Sequence, residues 1–430
     1  MVRPTAGRPL IRRGCRRCEM RIALVCGEYD PEHDGVSDYT RRLAAELQAS
    51  DAEAVIVTSR QRAAALSGVR GAAGAWTFVG AAQTARLLLG LRVDLVHVQF
   101  APSAYEFRPG IGLLPLMLCH GPPVVVTLHE YGWWKWQPRL LPGAVAQAAW
   151  PRLERAGWWD RETLMLAPRS ARVVVTNDVH LRQVAGRLPA SGPRVARIPI
   201  GVNLLPAQAP GADRDADPAK VREAVRAELG ARADAPVVAH FGFAHPNKGL
   251  EDVIEAVGRL RRVRTDLRLL VVGGSESLAL RGHQAVAYRR RLQQLISDRG
   301  LGRSVTFTGY QPAAEVSRLL AAADVAVFAF THGTTAKSGS LLTALAHGLP
   351  AVATVADPPD PLLRDGRTAL LVPRHDPAAL SAAIDLVLSD RRLADRLARS
   401  GKALAERHSW SSITAAHRRL YAQVLHESRR

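Results

Sequence analysis

Hydrophobic positions along the chain fall into two alternating series. From Met20 to about Gly201, short valine-rich runs (RIALVC, EAVIVT, LVHVQF, PVVVTLH, RVVVTN) are apolar on both faces, as parallel strands covered from two sides are. Stretches of helical period such as VSDYTRRLAAELQAS separate them. A second series with the same grammar starts after residue 235: PVVAHFG, LEDVIEAVGRLRRV, LRLLVVGG, AYRRRLQQLISDRG, VTFTGY, AAEVSRLLAAA, DVAVFAF, LLTALAHG, PAVATV and TALLVP. The fresh start predicts two doubly wound, Rossmann-like α/β domains, residues 20–203 and 236–407. Between them, residues 204–235 read as a linker rich in Pro, Ala and Asp followed by a first helix, and residues 408–430 form a closing segment.

Composition changes this picture little. A chain of 430 residues with 47% hydrophobic content exceeds one ordinary core, in agreement with two domains. The net charge of +19 is mostly arginine spread along the sequence, a balance that attracts polyanions without choosing among nucleotides, acidic membranes and nucleic acid. No nucleic-acid motif accompanies it, so no nucleic-acid partner is expected. The sequence contains neither a long apolar run nor a secretory signal pattern, which predicts a cytoplasmic protein, with peripheral contact at the inner membrane face still open. Residues 1–19 are basic and patternless, and read as a disordered extension. Cys15 and Cys18 form a single CxxC with no second pair nearby, so no metal is expected. The acidic run ending at Asp217 resembles a carboxylate cluster, but Asp217 before Pro218 and a helical period reads as a helix cap.

Three turns carry candidate chemistry. Gly35 and Val36 lie between a strand and a helix whose first amides are unpaired, which favours an anion. In FGFAHPNKG, Gly242, Phe243 and Asn247 lead to Lys248, which stands just before a helix where ammonium and helix end could face one phosphate. In THGTTAKSGSLLTALAHG, Lys337 precedes Ser338, Gly339, Ser340 and Leu341, a run of small groups and amides that fits either a phosphate cradle or a plain Ser-capped buried helix. Trp133, Trp134, Trp136, Trp158 and Trp159 gather with arginines in the first domain, a composition suited to sugar stacking, to a membrane interface, or to packing. His97, within an apolar strand, reads as a satisfied core residue.

From Met20 onward the chain resembles a GT-B fold glycosyltransferase of the retaining family 4, also called glycosyl transferase group 1. The likeness rests on ordered motifs: DGVSDYTRRLAAEL, DLVHVQF, VVVTLHEYG, VARIPIGVN, FGFAHPNKGLEDVIEAV, VTFTGYQPAAEVSRLLAAADVAVF, LLTALAHGLPAVAT and RHSWSSITAAHRRLYAQVL. It implies a central cleft between the two domains and a last helix that crosses back onto the first. It implies a nucleotide-sugar donor and a glycan, lipid-linked or small-molecule acceptor, with no cofactor and no metal. By the same resemblance, the Gly35 loop, Lys248, Lys337 and the Gly339–Leu341 amides would hold the diphosphate. His129 would contact the donor sugar and Tyr310 would lie by the nucleobase, with Glu130, Trp133 and Trp134 on the acceptor side. Two departures qualify this: the family's pair of glutamates, eight positions apart, is Thr335 and Thr343 here, and its usual arginine after the FG turn is Phe243. Altered donor contacts or a catalytically inactive binding protein would both fit, as would, more remotely, a basic scaffold.

Overall fold

A computed structural model describes residues 20–136, 143–189, 192, 194–206, 217–274, 280 and 282–429. The basic extension with its CxxC pair, and most of the acidic linker, lie outside the described residues.

The strands are β1 (Arg21–Cys26), β2 (Glu53–Ser59), β3 (Val69–Ala73), β4 (Leu95–Phe100), β5 (Val124–Leu128), β6 (Arg172–Val175) and β7 (Arg194–Arg197), then β8 (Val237–Phe241), β9 (Arg268–Val272), β10 (Val305–Phe307), β11 (Val325–Phe328), β12 (Ala351–Thr354) and β13 (Leu370–Val372). They form one seven-stranded sheet in the order β3-β2-β1-β4-β5-β6-β7 and one six-stranded sheet in the order β10-β9-β8-β11-β12-β13, with every pairing parallel. This is the GT-B arrangement, two Rossmann-like lobes. In each, the winding reverses between the first strand and its later neighbour, β1 against β4 and β8 against β11, and ligands collect beyond the carboxyl ends of strands at such points.

Two strands escape the hydrophobic pattern. β3 and β7, the edges of the first sheet, are short and half-exposed (VRGAA and RVAR), so they bury too little apolar surface to stand out. The central strands bury both faces: Ala23, Val96 and Val126 face one core cluster, while Ile22, Leu24 and Leu95 face another.

That second cluster is closed by the last helix, Trp410–Ser428, whose buried residues Trp410, Ile413, Thr414, His417, Leu420, Tyr421 and Val424 recur three and four apart. The helix begins at the end of the second lobe yet packs on the first sheet and on the first helix, Gly35–Ala49. The Arg172 guanidinium pins its far end through Glu427 at 2.6 Å. The helix after the linker, Pro218–Glu228, is fixed to the second lobe by Arg226 on Asp324 at 2.7 Å.

Candidate active site

The carboxyl ends of both sheets open on a cavity of about 990 Å³ between the lobes. From the first lobe it is lined by the β1 loop (Tyr29 to Gly35) and by Asp38, Arg41, Arg42 and Arg62; from the second by Gly242, Phe243, Lys248, Tyr310, Lys337, Ser338, Gly339, Ser340 and Thr343. His33 and Tyr310 approach across it with ring centroids 5.5 Å apart. Asp34 caps the first helix, accepting from the Ser37 amide at 2.8 Å, so Gly35 opens that helix. A Cβ on Gly35 would meet nothing within 4 Å, which leaves its face bare to the cleft.

Lys248 is placed by backbone that only glycine supplies. It ends a short turn, and Gly249 follows at φ +63°, where a Cβ would stand 1.9 Å from the Ala329 carbonyl oxygen. The Lys248 Nζ lies 3.9 Å from the Phe330 ring centroid, and burial followed by the like charge of Lys337 lowers its pKa to about 8. Burial also lowers the Lys337 ammonium, against the pull of Glu130. Neither lysine has an ion-pair partner within reach among the described residues. A buried lysine whose charge a second buried lysine opposes, both on the wall of an open cavity, is an arrangement suited to an anion.

The site is narrower than the sequence suggests. Ser338 caps the helix Gly339–Ala346, its Oγ accepting from the Leu341 amide at 3.2 Å. Leu341 itself is fully buried, so its amide serves the cap, and Gly339 and Ser340 are the helix-start residues on the wall. Val36 packs against the first core instead of the cavity. Asn247 is exposed and off the wall, its carbonyl accepting from the Thr331 amide at 3.1 Å. Of the two threonines at the glutamate positions, Thr343 faces the main cavity, whereas Thr335 opens on a smaller one behind Lys337. Asn203 and the arginines Arg41, Arg42 and Arg62 were not signalled by the sequence; tertiary packing alone brings them here. Among the described residues, no cluster of His, Cys, Asp or Glu could hold a metal ion.

His129, at 5% exposure, is not among the residues of the cavity wall, and burial, with Lys337 next, lowers its pKa to about 3, so the imidazole is neutral. It opens a buried polar seam. His129 Nε2 bonds the Gln99 amide oxygen at 2.9 Å and Tyr39 meets the ring edge-on at 4.8 Å. The Tyr39 hydroxyl reaches His417 Nε2 at 2.7 Å, and His97 joins Tyr421 and Thr127 at 2.7 Å each. His97 is thus a satisfied core residue. In the first lobe, a fully buried Asp160 takes the Tyr131 hydroxyl at 2.5 Å and Glu162 holds the Gly132 amide at 2.9 Å, anchoring the loop after β5. The same loop leaves Trp133 60% exposed beside Phe107, while Trp134 is half-buried. Trp158, 53% exposed, lies under the Arg169 guanidinium at 3.9 Å. Glu130, Trp133 and Trp134 stay outside the cavity wall.

Two family profiles divide the chain as the lobes do. Glycosyltransferase Family 4 matches residues 33–204 and Glycosyl transferases group 1 matches residues 221–404. The chain belongs to the family 4 glycosyltransferases. Its relatives include the lipopolysaccharide core biosynthesis glycosyltransferase LpsE of Rhizobium meliloti, 33% identical over 46% of this chain and 53% of that protein. Another is the D-inositol 3-phosphate glycosyltransferase of Nocardia farcinica, 31% identical over 60% of this chain and 53% of that one. The chain therefore spans about half the length of the curated relatives it matches. Among solved structures, Anabaena HepE in complex with UDP and glucose shares the fold, with a TM-score of 0.68 at 17% identity over 94% of this chain and 100% of that one. No described helix of this family 4 chain is long and apolar enough to cross a membrane.

Proposed function

We propose that the protein transfers a glycosyl unit from a nucleoside-diphosphate sugar to a hydroxyl-bearing acceptor within the cleft, with retention of anomeric configuration and without a metal or cofactor. The observation that carries this reading is the pair Lys248 and Lys337, both buried on the cavity wall, with Lys337 opposing the Lys248 charge and no ion pair to either among the described residues. When the bond from the anomeric carbon to the diphosphate breaks, charge grows on the departing oxygen, and cations already in place stabilise that charge more than the ground state. The new bond forms to the acceptor oxygen, whose proton leaves for the departing phosphate. The Gly35 face and the Gly339–Ser340 helix start close around the diphosphate, Phe243 and Tyr310 border the base, and neutral His129 meets the sugar. Thr343 offers a hydroxyl at one of the positions where the family offers a carboxylate, and Ser338 and Ser340 add hydroxyls beside it.

The acceptor would approach from the Glu130 and Trp133 side, where aromatic faces suit a glycan or a lipid-linked sugar. LpsE, named for lipopolysaccharide core biosynthesis, and the D-inositol 3-phosphate glycosyltransferase support that choice of class. The reading also implies a cytoplasmic site of action, where nucleotide sugars are made. Lys248→Ala tests it: the variant keeps its fold by circular dichroism, loses at least about a hundredfold in transfer rate, and loses the melting shift that UDP or GDP gives the parent. Unchanged transfer would remove Lys248 from the machinery. A parent that binds donor and never yields product would be an inactive relative.

A further inference from the structure

The polar seam contains one bond that bears directly on how the site reads its sugar. Gln99, the penultimate residue of β4, and His129, just past β5, lie on neighbouring strands, and the Gln99 side chain is fully buried. Its Oε1 lies 2.9 Å from His129 Nε2, while its own Nε2 is buried without any partner. An amide oxygen can only accept, so with the Gln99 amide in this orientation the bond requires the His129 proton on Nε2. The imidazole is neutral, so that proton is its only one, and Nδ1 is left as a lone pair. Tyr39 packs edge-to-face with the ring at 4.8 Å.

We propose that Gln99 is a positioning residue for the donor sugar. It fixes His129 in the Nε2-protonated form, so the site presents a hydrogen-bond acceptor to a sugar hydroxyl. The usual acceptor for such a hydroxyl in this family, a carboxylate at the position of Thr335, is missing here, and Thr335 opens on the smaller cavity. A lone pair on a neutral ring beside Lys337 supplies acceptance without adding a charge next to the diphosphate cations. The inference rests on the reading that His129 meets the donor sugar. The tautomer itself can be measured without any donor.

The experiment uses the full chain as parent, Gln99→Met and Gln99→Glu. The methionine matches the volume and cannot bond to the ring; the glutamate keeps an acceptor oxygen. Long-range ¹H–¹⁵N spectra, with His129 identified by its loss in His129→Asn, report which nitrogen is protonated. Parent and Gln99→Glu should show Nε2 protonated and Gln99→Met a mixture; Nδ1 protonated in the parent overturns the proposal. Calorimetry then compares UDP with UDP-glucose and UDP-mannose. The Gln99→Met change should leave UDP affinity within twofold and weaken the affinity of the better UDP-sugar about tenfold, the size of one hydrogen bond, with Gln99→Glu recovering most of it. Equal losses for UDP and UDP-sugar, or none for either, overturn a positioning role. A parent with the expected tautomer that binds no nucleotide overturns the functional reading instead, and the donor role of Gln99 falls with it.

Discussion

At the residue scale the cleft is shaped by what its lysines lack. Lys248 titrates near pH 8 because burial and Lys337 oppose its charge, and no carboxylate relieves it. Two opposite pH dependences result. An unfolded lysine keeps its proton to its ordinary value, so between about pH 8 and that value the unfolded chain binds more protons, and the ligand-free protein gains stability as pH rises. Binding runs the other way, since only the ammonium attracts diphosphate. UDP affinity measured by calorimetry should therefore fall several-fold from pH 7 to pH 9.5. Lys248→Arg, which cannot be deprotonated in this range, should flatten that fall; a parent profile already flat would detach Lys248 from the phosphates.

At the element scale, the last helix depends on one close approach. Gly201, just past the final strand of the first sheet, has no side chain because a Cβ would lie 2.6 Å from the Trp410 indole, itself held 5.1 Å from the Tyr39 ring. Gly201→Ala should therefore destabilise the protein by about 1–3 kcal/mol, the range for overpacking, seen as a lower melting temperature. An unchanged melting temperature would show that the helix yields freely. What the sequence makes legible follows the same physics. Strands such as VVVTL bury both faces and declare themselves, as do the Asp217 and Ser338 caps. Edge strands β3 and β7 do not, because half-exposed residues obey no strong pattern. Lys248, Lys337 and Gly35 are legible as helix-end chemistry, but the register at each helix start is not, so Val36 and Leu341 turn inward where donor contacts were expected. Arg41, Arg42 and Arg62 reach the cleft through tertiary geometry that no local signal encodes.

At the scale of the whole molecule, the two lobes are tied by a helix whose contact with the first sheet is polar at its centre and closed to water. His97, His129 and His417 lie within that seam and His180 nearby, and burial lowers the pKa of each: to about 3 for His129, His180 and His417, and well below the ordinary value for His97. All four are neutral at pH 7, so the seam costs nothing in charge there. Below about pH 6.5 the unfolded chain takes up protons that the folded seam refuses, and stability falls with pH. Each group adds a slope of up to about 1.4 kcal/mol per pH unit, so the four together reach about 5 kcal/mol per unit between pH 6 and pH 4. Asp34, Glu162 and Asp252, whose carboxyls burial holds above their ordinary range, act in the opposite sense, but they are three against four and their window lies lower. Urea midpoints measured from pH 7 to pH 4.5 should drop steeply below pH 6.5. His417→Gln, which keeps a side-chain partner for the Tyr39 hydroxyl without a titrating ring, should reduce the slope by about one group's share. A stability profile flat from pH 6.5 to pH 5 would mean that water enters the seam and protonates it in place, and the last helix would then hold the first lobe by its apolar residues alone.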